Sequence, residues 1–298
     1  MRKWIRIIFW ILLLAGGVVL CAVRWQAWFG MPAEPEWTED TIHYTFQHPT
    51  PSDSDSVITF LVLGDIHNGL IGDEYDTLAA RVPQTDIVLQ TGDWLERGQF
   101  YYYQLLLREW TGSALSEKPV IACPGNHEYS KGLLRTVSPV WEEAFGPASN
   151  YYLDFPQMRL ILLDTNPMVR LVNLTRTLTW LRETMNTAGN RYIVVMMHHP
   201  VLSPAKGRFN PHLYAAFRYA LSQTDLVLAG HDHSYMRHGP FVVLNTAGNP
   251  KTQHLGFPAE ATDSLATYGV LQVNDELTFK AYRLGDGALI DSLYVKHD

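Results

Sequence analysis

Short apolar runs that end directly in clusters of Gly, Asp, Asn or His recur five times in this chain. The runs are four to seven residues long and rich in Leu, Ile and Val, which is typical of strands buried on both faces. Because loops from several strands meet at the carboxyl edge of such a sheet, the polar clusters should lie close together. The runs and their clusters are Val57–Leu63 with Gly64–His67, Asp86–Gln90 with Thr91–Asp93, Pro119–Ala122 with Pro124–Glu128, Tyr192–Met197 with His198–Pro200, and Leu226–Ala229 with Gly230–His233.

The alternation of these runs with amphipathic stretches predicts one layered α/β domain over residues 57–298. Two further apolar runs, Arg159–Leu163 and Phe241–Leu244, add strands, and helices should connect the parallel ones. Alternating segments near the C-terminus predict an antiparallel meander, so mixed sheets are expected. The predicted helices are 73–82, 99–113, 174–188 and 210–223, and the meander strands are Tyr268–Val273, Glu276–Arg283 and Ala288–Val295.

The N-terminus carries an uncharged apolar segment of 17 residues, Ile7–Val23. As a helix it spans roughly 26 Å, close to the hydrocarbon thickness of a bilayer. Three basic residues precede the segment and only Arg24 follows it, which favours a cytoplasmic N-terminus and an extracytoplasmic remainder. We therefore expect residues 1–24 to form a single-pass transmembrane helix that anchors the chain. A cleaved signal peptide, which would give a secreted protein, and a buried helix are the alternatives.

Residues 25–56 have the composition of a linker at both ends, with Pro32 and Pro35 early and a Ser- and Asp-rich stretch late. Between these ends, residues 41–46 alternate polar and apolar side chains, which predicts a short edge strand. The chain is 47% hydrophobic, too much for a disordered protein.

The charge balance disfavours nucleic acid as a partner. Lys and Arg total 23 against 30 Asp and Glu, for a net charge of -7. Four of the basic residues flank the apolar N-terminal segment, which leaves 19 basic against 30 acidic residues elsewhere. No basic stripe remains to follow a phosphate backbone, so we expect no nucleic-acid binding.

The polar clusters combine the ligand types of a transition-metal site. Asp65 and His67 are two residues apart, as are His231 and His233, so in extended backbone each pair would point to one side. Imidazole nitrogens with carboxylate oxygens suit Zn, Mn or Fe better than Ca or Mg. The candidates are too many for one ion and about right for two ions that share a carboxylate.

The ordered blocks GDIH, GDW, GNHE, HHP and GHDH resemble those of the calcineurin-like metallophosphoesterases. The resemblance covers roughly residues 57–250 and implies a four-layer α/β/β/α sandwich. It also implies a binuclear metal centre, in which a metal-bridged hydroxide attacks phosphorus in line. By this resemblance Asp93 bridges the two ions, and His127 lies beside them as the catalytic residue without ligating them. The first ion would be held by Asp65, His67 and His233, and the second by Asn126, His198 and His231.

Details within these blocks point to different branches of the family. Gly92–Gly98 is similar to a protein-phosphatase block, in which Arg97 would contact phosphate, but the later protein-phosphatase blocks are absent. HHP and GHDH are more similar to the purple acid phosphatases and cyclic-nucleotide phosphodiesterases. Glu96 stands where the purple enzymes have an iron-binding Tyr, which disfavours a tyrosinate-iron centre.

The sequence thus predicts a membrane-anchored hydrolase of phosphate esters with two Mn, Fe or Zn ions. The acidic surface favours a small molecule or a lipid head group over a polymeric substrate. A metal- or ligand-binding ectodomain without turnover, or a serine/threonine-type protein phosphatase, are the alternatives.

Overall fold

Two β-sheets lie face to face at the centre of the structure, a computed structural model. It describes residues 46, 57–129, 136–146, 150–167, 173–202, 217–248, 260–263 and 265–297. In chain order the strands are β1 (Ile58–Leu63), β2 (Ile87–Gln90), β3 (Val120–Ala122), β4 (Tyr151–Asp154), β5 (Met158–Leu163), β6 (Tyr192–Met197), β7 (Leu226–Ala229), β8 (Tyr235–His238), β9 (Phe241–Val243), β10 (Ala261–Asp263), β11 (Thr267–Val273), β12 (Leu277–Arg283) and β13 (Leu289–Val295).

Both sheets are mixed, with the parallel strands on one side of the first sheet and in the middle of the second. The first has the order β13-β12-β11-β1-β2-β3, and the second β10-β8-β9-β7-β6-β5-β4. In the first sheet β1, β2 and β3 run parallel, and in the second β5, β6, β7 and β9 do so. The carboxyl ends of the parallel strands in each sheet therefore share one edge, where the polar clusters follow.

Helices cover the outer faces of both sheets and complete four layers. They are α1 (Gly72–Arg81), α2 (Phe100–Thr111), α3 (Pro139–Phe145) and α4 (Leu174–Asn186), with a further helical segment at 217–221. Alternate side chains of β1 show the layering, because Phe60 packs between the sheets while Leu61 packs outward in a cluster with Trp110 of α2. On the other outer face, Leu181 of α4 packs with Ile161 of β5. The predicted α/β/β/α arrangement is thus confirmed.

Charged pairs connect antiparallel strands of one sheet with antiparallel strands of the other. Arg237 of β8 donates to the carboxylate of Asp291 on β13 over 2.5 Å, and Tyr235 donates to the same carboxylate over 2.7 Å. Arg283 of β12 lies 2.9 Å from Asp263 of β10. These pairs tie strands that belong to different sheets.

The predicted N-terminal anchor, residues 1–24, and nearly all of the 25–56 segment lie outside the described residues. Only Phe46 of the predicted edge strand is described; its ring stacks on Phe145 at 4.3 Å. Among the helices that the structure does describe, none combines the length and apolar character needed to cross a bilayer. Of the predicted helix 210–223, residues 217–221 are described as helical.

Candidate metal centre

The seven side chains predicted to bind metal lie together at the carboxyl ends of the parallel strands. Asp65 and His67 follow β1, Asp93 follows β2, Asn126 follows β3, His198 follows β6, and His231 and His233 follow β7. Most are buried, and Asp65, Asp93 and His198 are at most 1% exposed. Strand ends from both sheets thus converge on one polar cluster.

A first group within this cluster contains Asp65, His67, Asp93 and His233, whose candidate ligand atoms all lie within 4.8 Å of one another. Nε2 of His67 is 3.2 Å from Nε2 of His233 and 3.7 Å from Oδ2 of Asp93. Oδ1 of Asp65 is 3.4 Å from Nε2 of His233. Two imidazoles and two carboxylates therefore face a common point.

A second group surrounds Nε2 of His198. This atom is 3.3 Å from Oδ1 of Asn126, 3.2 Å from Nδ1 of His231 and 3.2 Å from Oδ2 of Asp93. Oδ2 of Asp93 thus faces both groups, while its Oδ1 accepts a hydrogen bond from the backbone N–H of His127 at 2.8 Å. The geometry suits a carboxylate shared between two cation positions.

The donor set fits metal ions. Oδ1 of Asp65 is buried and accepts no hydrogen bond from the described residues, although two imidazole nitrogens lie within 3.7 Å of it. A buried, unpaired carboxylate oxygen is costly unless a cation or donor reaches it. Converging imidazole nitrogens and carboxylate oxygens are the ligands that Zn, Mn and Fe accept.

The electrostatics of Asp93 and His198 favour positive charge at this point. Burial alone raises the pKa of Asp93, but the charge of His198 and its contact with Asp93 outweigh burial and hold the pKa below its ordinary value. Burial likewise lowers the pKa of His198, yet Asp93 raises it to about 9. The buried carboxylate thus stabilises a neighbouring cation strongly.

The ligand pairs meet through a backbone conformation that differs from the prediction. Asp65 and His67 have φ of +51° and +52°, and His231 and His233 have +73° and +50°, so the extended backbone expected for these pairs was wrong. Asp93, at +54°, shares this left-handed conformation. The two side chains of each pair therefore point to one side because of a tight turn after the strand. The alternation of side chains along an extended strand is not the cause.

Two glycines permit these turns to approach each other. A Cβ on Gly125 would lie 2.1 Å from Oδ1 of Asp93, and a Cβ on Gly230 would lie 2.3 Å from Oδ2 of Asp65. Any larger residue at either position would displace a candidate ligand. The Gly residues of the GNHE and GHDH blocks therefore serve close packing around the carboxylates.

The ring of His127 lies beside the first group, with its centroid 4.5 Å from that of His67 in an edge-to-face arrangement. Its Nδ1 is 2.5 Å from the backbone oxygen of Glu96, a contact in which Nδ1–H donates. The Nε2 atom is then left to act on a bound molecule. His67, Glu96 and His127 form a further group that could hold a cation, with the carboxylate of Glu96 3.4 Å from Nδ1 of His67.

Glu128 supports the turns that carry two of the candidate ligands. The residue is fully buried, and its carboxylate accepts hydrogen bonds from the backbone N–H groups of Asp93, Leu95 and Gly125 at 2.9, 2.9 and 2.7 Å. Burial and the charge of Asp93 raise the pKa of Glu128 to about 7. This side chain joins the loop after β2 to the loop after β3.

A sixth strand end at this edge was not predicted from the sequence. Asp164, Thr165 and Asn166 follow β5 directly and are all buried. Oγ1 of Thr165 accepts from the backbone N–H of His199 at 3.1 Å and lies 2.8 Å from Nδ1 of that ring. The signal was present, because an apolar strand ends there in a polar cluster as in the other five cases.

Other residues singled out around the GDW block separate into buried and exposed ones. Trp94 and Tyr103 are buried, and Nε1 of Trp94 donates to the Tyr75 hydroxyl at 2.9 Å. Tyr101 is 65% exposed, and Arg97 is also exposed. Packing therefore accounts for Trp94 and Tyr103.

The chain is similar to known proteins in sequence and in fold. The model of the family described as calcineurin-like phosphoesterase matches residues 58–235. A curated relative, the glycerophosphodiester phosphodiesterase GpdQ of Enterobacter lignolyticus, is 26% identical over 159 residues, which cover 50% of this chain and 56% of the relative. The chain thus spans little more than half the length of that relative.

Two solved structures share the fold at low sequence identity. The purple acid phosphatase PPD1 of yellow lupin, Lupinus luteus, has a TM-score of 0.63 and 14% identity, over 84% of this chain and 55% of its own. A dimetal phosphatase from Danio rerio has a TM-score of 0.55 and 14% identity, over 81% of this chain and 99% of its own. These values show a common fold.

The match covers more than half of the chain, and the chain belongs to the calcineurin-like phosphoesterase family. It therefore shares the fold of a family of metal-dependent phosphoesterases, and its Asp and His clusters could hold metal ions.

Proposed function

We propose that this protein is a phosphoric ester hydrolase with two metal positions that share Asp93. The observation that carries the proposal is the placement of Oδ2 of Asp93, which is 3.7 Å from Nε2 of His67 in one group and 3.2 Å from Nε2 of His198 in the other. Asp65, His67 and His233 would complete the first position, and Asn126, His198 and His231 the second. Mn, Fe and Zn are the ions that suit these ligands.

Metal ions bound there would neutralise charge on the phosphate oxygens and lower the pKa of a water molecule. The chain supplies the remaining functions. His127 is held by its hydrogen bond to the backbone oxygen of Glu96, and in the protonated form of the ring Nε2–H would donate a hydrogen bond or a proton to the leaving oxygen. Glu128 holds the Asp93 and Gly125 backbones, which keeps the shared carboxylate and the Asn126 turn in fixed positions.

The proposed substrate is a small phosphodiester or phosphomonoester. The GpdQ relative is named as a glycerophosphodiester phosphodiesterase, which supports a small phosphodiester as one substrate class. The excess of acidic over basic residues, 30 against 23, disfavours an extended polyanion as substrate.

We further propose that residues 1–24 anchor the enzyme in a membrane with the phosphoesterase domain outside the cytoplasm. The uncharged segment Ile7–Val23 and the excess of basic residues before it support this topology.

Metal content and hydrolysis of the full chain test the catalytic proposal together. The purified protein is stripped with a chelator, reconstituted with Mn, Zn or Fe, and assayed on p-nitrophenyl phosphate and bis(p-nitrophenyl) phosphate. We expect about two metal ions per chain and turnover of at least one ester. Two ions without turnover would favour the alternative of a binding protein, and a chain that binds no metal would contradict the proposed centre.

A further inference from the structure

The segment after β5 is placed where the two sheets approach each other at the candidate metal centre. β5 belongs to the second sheet, and Asp164, Thr165 and Asn166 extend from its carboxyl end. All three side chains are buried, with exposed fractions of 7%, 4% and 7%. None of them belongs to the groups of candidate metal ligands.

Asp164 and Asn166 hold both ends of the turn that carries Asn126. The side-chain amide of Asn166 donates to the backbone oxygen of Pro124 at 3.0 Å and to Oδ1 of Asp164 at 3.1 Å. On the other side of Asn126, the Tyr129 hydroxyl donates to Oδ2 of Asp164. The turn is thus fixed two residues before and three residues after the candidate ligand.

These bonds matter because Asn126 and His198 come from different sheets. Asn126 follows β3 of the first sheet, and His198 follows β6 of the second, yet their side chains approach to 3.3 Å. His198 is tied to the first sheet through its Nδ1, which is 3.1 Å from the backbone oxygen of Thr91. In the same way, the hydrogen bonds of Asp164 and Asn166 connect the turn that carries Asn126 to the second sheet.

The first metal position is held by other contacts. The backbone N–H of Asp65 donates to the oxygen of Gly92 at 3.0 Å, and that of His67 donates to the oxygen of Asp93 at 3.0 Å. Both bonds join the loops after β1 and β2, which are neighbours in the first sheet. Asp164 and Asn166 take no part in these two bonds, whereas both are bonded to residues that flank Asn126.

From this difference we infer that Asp164 and Asn166, acting through Tyr129 and Pro124, are positioning residues for the second metal position and affect its affinity more than that of the first. The inference rests on the proposed two-metal function. Loss of groups that orient metal ligands typically weakens metal binding 10–100-fold.

The test is a Mn²⁺ titration of the full chain, followed by metal content per chain and by the electron paramagnetic resonance signal of coupled Mn pairs. Tyr129→Phe removes only the hydroxyl that bonds Asp164, and Asn166→Ala removes the amide that bonds Pro124. We expect wild type to bind two ions. In each variant, binding of the second ion should be weakened about 10–100-fold, with loss of the coupled signal at concentrations where one ion is retained.

Tyr192→Phe is the matched control, because Tyr192 is also buried and its hydroxyl donates to the backbone oxygen of Asp275, at the amino end of β6. It should bind both Mn ions with wild-type affinity.

Equal weakening of the affinities for both ions, or an unchanged affinity for the second ion in folded Tyr129→Phe and Asn166→Ala proteins, would overturn the inference. Wild type that binds two ions but hydrolyses neither ester would contradict the proposed function while leaving the positioning role intact. Wild type without a second binding step would contradict both.

Discussion

At the scale of single residues, the candidate ligands occupy backbone conformations that cost stability. Asp65, His67, Asp93, His231 and His233 all have φ between +50° and +73°. For residues with a side chain, the left-handed region costs about 1–2 kcal/mol each. Five of the seven non-glycine residues with left-handed φ among the described residues are candidate ligands, and backbone strain of this kind clusters at functional sites. The strain therefore supports a binding role for these residues beyond a structural one.

The structure separates the expected effects of two adjacent substitutions. His127→Ala removes a group that lies beside the metal positions without joining the proposed ligand set, so turnover should fall about 10²–10⁴-fold while metal content stays at the wild-type value. Asn126→Ala removes a proposed ligand and should lower both turnover and metal content. Steady-state kinetics with metal analysis on the same samples measures both.

Wild-type hydrolysis by both folded variants would contradict the assignment of this site. Loss of metal from His127→Ala would instead mean that His127 is itself a ligand. The thermal unfolding temperature of each apo protein shows whether either variant has lost its fold.

At the scale of elements, the ion pair between Arg237 on β8 and Asp291 on β13 joins an antiparallel strand of one sheet to an antiparallel strand of the other. The Asp291 side chain is 9% exposed. Burial raises its pKa, but hydrogen bonds from Arg237 and Tyr235 outweigh burial and lower the pKa below the ordinary value. The ionised carboxylate therefore stabilises the folded state relative to the unfolded one.

We expect Asp291→Asn to lower the free energy of unfolding at pH 7 by about 1–3 kcal/mol, because a hydrogen-bonded charge is removed. A lowered pKa means that this contribution is complete above the pKa of the unfolded chain, about 3.9, and is lost as pH falls through the folded-state pKa. The difference between wild type and variant should therefore shrink below about pH 4. Urea unfolding at a series of pH values measures it.

Asp286→Asn is the control for this experiment, since Asp286 also pairs with an arginine but its side chain is 58% exposed. Its effect on unfolding should be smaller at every pH, because solvent screens exposed pairs. A larger loss of stability in Asp286→Asn than in Asp291→Asn would contradict the role given to the buried pair.

The sequence predicts the buried strands of the fold well. Their observed first and last residues differ from the predicted ones by about one residue at most, and β6 and β7 have the predicted bounds. Their apolar runs need two covered faces, a requirement that is visible in the sequence itself. The missed elements are β4, β8, β10 and α3. These strands are short, and their pairing depends on neighbours distant in the chain, which no local pattern records.

The candidate site was predicted only in part. The predicted part again depends on the arrangement of buried parallel strands. The carboxyl ends of parallel strands in one sheet share an edge, so the proximity of Asp65 and Asp93 followed from topology. The approach of His198 depends in addition on how the second sheet packs on the first. The supporting contacts of Glu128 and Asp164 did not follow, because each joins loops whose conformations depend on the completed fold. The left-handed turns that present the ligand pairs were unpredicted for the same reason.

At the scale of the whole molecule, the proposed topology can be tested independently of catalysis. Residues 2–6 contain three basic side chains and residue 24 one, while Ile7–Val23 contains none. This asymmetry favours retention of the N-terminus in the cytoplasm. With epitope tags at both ends, protease treatment of bacterial spheroplasts should digest the C-terminal tag and spare the N-terminal one, and alkaline extraction should leave the chain in the membrane.

Replacing Arg2, Lys3 and Arg6 with Gln should weaken the preference for a cytoplasmic N-terminus and protect the C-terminal tag in a fraction of the molecules. Release of the wild-type chain by alkali would favour a cleaved signal peptide, and full protection of its C-terminal tag would place the phosphoesterase domain in the cytoplasm.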